Sequence, residues 1–93
     1  MGWIEEEVKT VIGHTPVSSV IRYKKNEESY TWTCWVDYFW DSKTVVLSAA
    51  LTAPNVTEAR TVKRYFKDKD IKTLIWDRRK GIRRRTANFN LGE

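Results

Sequence analysis

The stretch Tyr30-Thr31-Trp32-Thr33-Cys34-Trp35-Val36-Asp37-Tyr38-Phe39-Trp40 decides the fold class of this 93-residue chain. It is built from aromatic residues, Thr and Val, the types that suit a pleated, half-buried surface. Alternation puts Tyr30, Trp32, Cys34, Val36, Tyr38 and Trp40 on one face and Thr31, Thr33, Trp35, Asp37 and Phe39 on the other. One face must take the helices of the domain. The opposite face then keeps large rings that so small a monomer hardly covers.

Working outward, Lys25-Asn26-Glu27-Glu28-Ser29 is a polar loop of hairpin length, and residues 17–24 before it alternate as a first strand. Asp41-Ser42-Lys43 supplies the next turn, and residues 44–52 form a third strand with Val45, Leu47, Ala49 and Leu51 on one face. Residues 17–52 thus read as a three-stranded antiparallel meander.

On the N-terminal side, residues 3–12 read as a short amphipathic helix. Ile4, Val8, Val11 and Ile12 fall on one helical stripe. Glu5, Glu6 and Glu7 complement the dipole of a first turn, and Gly13 is placed to end the helix.

On the C-terminal side, Ala53-Pro54-Asn55 breaks the strand pattern. Asn55 is a suitable N-cap, with Glu58 as its capping-box partner. Ala59, Val62 and Phe66 form the apolar stripe of this second helix, with Tyr65 at its margin, and Asp68-Lys69-Asp70 closes it. Residues 71–77 are a fourth strand, Arg79-Lys80-Gly81 a hairpin turn, and residues 82–91 a fifth strand with Ala87, Phe89 and Leu91 apolar. The expected fold is a single α+β domain over residues 1–93. An antiparallel sheet of about five strands carries two helices on one face, in the order α-β-β-β-α-β-β.

Charge is strongly segregated. Residues 60–85 hold 12 basic side chains against three acidic ones, whereas residues 1–59 hold 5 basic and 8 acidic. Six of the basic residues, Arg78, Arg79, Lys80, Arg83, Arg84 and Arg85, fall at the tip of the last hairpin. Five of those six are Arg, whose planar fork fits phosphate oxygens. Lysine would serve equally well if the purpose were only to protect a sheet edge. Arg60, Lys63, Arg64 and Lys67 add a basic ridge along the second helix. A solvated helix face also looks like this, so the ridge is the weaker signal.

These features point to a small non-enzymatic nucleic-acid-binding protein, on DNA or RNA. The hairpin and the ridge would contact phosphates, and Trp35 or Trp76 would stack on bases. The alternative is an adaptor or inhibitor that anchors exposed Trp and Tyr residues, rimmed by Arg, on the acidic surface of a protein partner. An uncovered aromatic sheet face also suits a homodimer.

Little speaks for catalysis, a metal or a cofactor. His14 is the only histidine and Cys34 the only cysteine, so the two cannot build a tetrahedral zinc site. The four glycines, Gly2, Gly13, Gly81 and Gly92, are isolated and form no phosphate loop. The acid-x-Lys triplet Asp70-Ile71-Lys72 lacks a second carboxylate on a neighbouring strand end. Asn55-Val56-Thr57-Glu58 carries none of the lysines that open the last helix of double-stranded-RNA-binding domains, and residues 30–35 do not fit the RNP1 pattern. With one thiol, no secretory leader pattern and no run of about 20 apolar residues, the expectation is a cytoplasmic protein away from the membrane.

Overall fold

The computed structural model describes residues 2–50, 52–80 and 83–92, with 78–80 and 83–85 as backbone only. Six strands form one sheet in chain order: β1 (Trp3–Ile12), β2 (Thr15–Asn26), β3 (Ser29–Phe39), β4 (Thr44–Ser48), β5 (Thr73–Lys80) and β6 (Arg83–Asn90). One α-helix, α1 (Val56–Asp68), connects β4 to β5. The expected two helices and wholly antiparallel five-stranded sheet are therefore corrected to one helix and a six-stranded mixed sheet.

The first correction is β1. Residues 3–12 pair antiparallel with β2, from Trp3 opposite Lys24 to Ile12 opposite Thr15. Gly13 has φ +65, and His14 completes a two-residue turn. Glycine at the first central position is what a type II′ hairpin requires. The same left-handed demand is made by a helix C-terminus, so Gly13 fits both readings locally. Pairing with β2 decides between them.

The second correction is the pairing of β4 with β5, which is parallel, with Val45 opposite Leu74 and Leu47 opposite Trp76. A helix joining two neighbouring strands returns the chain to the same end of the sheet, so the second strand runs in the direction of the first. β4 is also shorter than expected. Ala49 adopts φ +62 immediately after Ser48, turning the chain out of the sheet towards α1. Elsewhere the meander of β2, β3 and β4 stands, as does the capped helix.

Helix α1 lies on one sheet face. Val62 and Phe66 pack there against Ile21, Tyr23, Trp32, Cys34, Val36, Tyr38, Val45, Leu47, Leu74 and Trp76. Its N-terminus is fixed by a complete capping box: Asn55 Oδ1 accepts from Glu58 N at 2.8 Å, and Glu58 Oε1 accepts from Asn55 N at 2.9 Å. Thr31, skipped where the β2–β3 register slips between Tyr23–Trp32 and Lys24–Tyr30, donates its hydroxyl to Glu58 Oε2 at 2.6 Å. That slip also takes Tyr30 out of the buried face, leaving it 53% exposed.

The other end of α1 is tied through Glu6. Its carboxylate accepts from Tyr38 Oη at 2.6 Å and from Tyr65 Oη, and Lys69 Nζ stands 3.4 Å away. Burial raises the pKa of this carboxylate. The hydroxyls of Ser19, Tyr38 and Tyr65 and the Lys69 charge outweigh burial and leave it below the ordinary value. Ser19 Oγ is buried without a hydrogen bond of normal geometry, although it acts on Glu6 at close range. Among the described residues, no helix is long and apolar enough to cross a membrane.

Candidate nucleic-acid interface

The last two strands continue beyond the β4–β5 pairing, which ends at Leu47 opposite Trp76. β5 and β6 pair from Thr73 opposite Asn90 through Trp76 opposite Ala87, and then onward to Lys80 opposite Arg83. Arg79 and Lys80 are thus strand residues rather than turn residues, and Gly81 of the expected turn lies outside the described residues. The register sets Arg78 opposite Arg85, Arg79 opposite Arg84 and Lys80 opposite Arg83. Three successive cross-strand pairs are therefore cation against cation. Like charges directly opposite one another destabilise a strand pair by up to about 1 kcal/mol each.

Asp77 adjoins the run on β5 and has an interaction of its own, whereas the acids with ion pairs among the described residues are placed elsewhere. Glu5 pairs with Lys24 at 3.2 Å, and Glu7 with Lys9 at 2.7 Å and Arg22 at 3.2 Å. The latter bonds hold the Glu7 carboxyl below its usual pKa. These acids belong to β1, at the sheet edge opposite β6. Five interstrand spacings separate the two edges, roughly 24 Å at about 4.8 Å each. Asp70, depressed by hydrogen bonds from Lys43 and Lys72, draws both lysines to the C-terminal end of α1.

The four cations of the helix ridge do not form one stripe. Arg60 and Arg64 line a groove between α1 and the start of β1, walled by Trp3 and Tyr65, and neither has an ion pair among the described residues. Lys63 turns the other way, with Nζ 4.1 Å from the Phe89 ring centroid on β6. Lys67 is exposed and engaged in an interaction of its own. Helix and hairpin are thus joined through Lys63, with Arg60 and Arg64 carrying positive charge over the far side of α1.

The two tryptophans lie on opposite faces. Trp35 is half-buried on the sheet face away from α1, between Val20 and Ser48, and its Nε1 donates to Asp37 Oδ1 at 3.2 Å. Trp76 is only 8% exposed and stacks on Trp32, with centroids 5.5 Å apart and planes at 21°. Both rings of that stack line a cleft between α1 and β5–β6 whose wall includes Phe89 and Lys63. Local periodicity could not have found this cleft, because its walls come from segments far apart in sequence. The only advance signal was the apolar alternation of Ala87 and Phe89.

Cys34 is buried, and desolvation pushes its thiol far above the usual range. Burial, reinforced by bonding to Glu6, likewise raises Tyr38 and Tyr65. Among the described residues, no group of three or more His, Cys, Asp or Glu side chains is arranged to hold a metal ion. No protein-family model, curated protein or solved structure matches this chain significantly.

Proposed function

We propose that this protein is a non-enzymatic nucleic-acid-binding module that contacts phosphates through the β5–β6 ribbon. The observation that carries this reading is the run of three cation-cation pairs from Arg78–Arg85 to Lys80–Arg83. A strand pair selected for stability alone would alternate the charges. A polyanion reverses the sign of the effect, since each repelling pair then becomes a two-pronged phosphate site. Roughly 24 Å separates the ribbon from the acidic β1 edge, and Asp77 is the one acid within the paired β5 and β6 segments, which supports an external anionic partner for the remaining cations.

Arg60 and Arg64, two turn-spaced cations without an ion pair among the described residues, extend that field, and Lys63 links it to the ribbon. Trp35 lies half-buried on the open sheet face, away from α1 and Lys63, and is not assigned to this surface. A lone buried thiol suits a reducing compartment, and the cytoplasm is the proposed location. The test is fluorescence anisotropy with labelled DNA and RNA over a salt series, beside the Arg83→Glu/Arg84→Glu/Arg85→Glu variant. Affinity that falls steeply with salt and is lost in the variant supports the reading. Absence of binding at low salt removes it.

One observation favours a second reading, an adaptor or inhibitor. At the tip of the β1–β2 hairpin Val11 and Ile12 are 50% and 70% exposed, and Phe39 nearby is 53% exposed. Ile12 and Phe39, together with Val17 and Trp40, border a shallow groove of the kind that anchors a protein partner or a second copy of the chain.

A further inference from the structure

The cleft between α1 and the β5–β6 ribbon adds a specificity to the proposed interface. Its volume is about 260 Å³, and its lining is apolar apart from Lys63. Trp32, Trp76 and Phe89 give it an aromatic wall, with Leu74 and Val62 beneath. One bank is the helix face that bears Lys63. The other is the ribbon, where the Trp76–Ala87 pair of the cleft lies two register positions from Arg78–Arg85.

An aromatic slot with Lys63 on its helix bank and the Arg78–Arg85 pair two register positions along the ribbon is complementary to a planar, weakly polar ring carried on an anionic chain. We propose that this cleft receives an unpaired base of single-stranded nucleic acid, whose flanking phosphates lie on the ribbon and on Lys63. The inference rests on the phosphate-binding reading above and deepens it from nucleic acid to single strand. A duplex keeps its rings in its own stack and must spend a few kcal/mol to extrude one. A single strand offers a ring at far lower cost, and aromatic stacking then rewards it whatever the base. The lining holds no amide, carboxylate or guanidinium side chain to read a base edge, so the slot selects for an unpaired base and not for sequence.

The test compares decathymidylate with a ten-residue abasic oligomer of equal charge, and with a ten-base-pair duplex, on the wild-type protein by anisotropy. Ala87→Phe, which narrows the cleft, and Trp35→Ala, on the opposite face, are measured alongside, with melting curves to show that each is folded. The expected result is about tenfold tighter binding of decathymidylate than of the abasic chain. That advantage disappears in Ala87→Phe and survives in Trp35→Ala. Equal affinity for the base-bearing and abasic strands overturns the cleft while leaving the phosphate reading intact. An advantage abolished by Trp35→Ala and kept by Ala87→Phe overturns it in favour of the open sheet face. Failure of the wild type to bind any of the three overturns both readings. If Ala87→Phe does not fold, Trp35→Ala decides: an advantage that it abolishes overturns the cleft, and one that it keeps supports it.

Discussion

The Glu6 carboxylate accepts the Tyr38 hydroxyl at 2.6 Å, joining β1 to β3 beneath α1. Tyr65 and Lys69 reach the same carboxylate from the helix. Replacing it by Glu6→Gln removes the charge that these donors serve, at an expected cost of about 1.5–3 kcal/mol. Urea denaturation at pH 7 measures the loss. Because the folded pKa lies below the ordinary 4.5, the stabilisation is fully present above that value. It declines as pH falls below it and is gone once the folded carboxyl is protonated. The gap between wild type and Glu6→Gln therefore closes in acid.

An alkaline limb has the opposite sign. Burial and the bond to Glu6 raise Tyr38 and Tyr65 above their ordinary 10.0. Their contribution is intact below pH 10 and lost above it, as the phenols of the unfolded chain ionise first. Tyr38→Phe/Tyr65→Phe is expected to lower stability at pH 7 and to flatten its decline above pH 10, measured by the same urea titrations.

Helix α1 depends on its cap. Asn55→Ala removes the acceptor of the Glu58 amide and is expected to destabilise the protein by about 1 kcal/mol, with Asn55→Asp close to neutral. Glu58→Ala should cost more. It strips a 6% exposed carboxylate from both the Asn55 amide and the Thr31 hydroxyl. Midpoints of urea unfolding give the order.

Gly13 is a conformational test of the β1–β2 hairpin. A Cβ there meets nothing within 4 Å, so any cost of Gly13→Ala is that of its φ of +65. Left-handed backbone costs an alanine roughly 1–2 kcal/mol. A thermal-melt change within error would show that the turn is not the II′ hairpin described.

Local sequence disclosed what is decided locally. The capping box at Asn55 and Glu58, the stripe of Val62 and Phe66 and the long strand through Trp32–Tyr38 depend on near neighbours, and all three are present. Residues 3–12 were opaque for a physical reason. On a strand, Ile4 and Glu6 share the face towards α1, and an acid there argues against burial until its partners are known. Those partners, Tyr38 and Tyr65, stand 32 and 59 positions away. The parallel pairing of β4 with β5 is equally non-local, although the intervening helix implied it. Of the candidate site, the cationic hairpin was legible as composition. That its basic residues fall opposite one another in register, that Lys63 departs from the ridge towards Phe89 and that Trp76 is a cleft wall were not.

The central claim is that the β5–β6 cations are held against mutual repulsion for the sake of an anionic partner, and Arg84→Glu addresses it most directly. This substitution turns the Arg79–Arg84 pair from repulsive to attractive. Thermal stability of the free protein and nucleic-acid affinity over a salt series are measured on the same preparations. The prediction is a variant more stable than wild type by a few tenths to about 1 kcal/mol. It also binds single strands more weakly, and the slope of log affinity against log salt is reduced by about 0.7 for each phosphate no longer neutralised. A variant that keeps wild-type affinity and slope, or that loses stability, would contradict it.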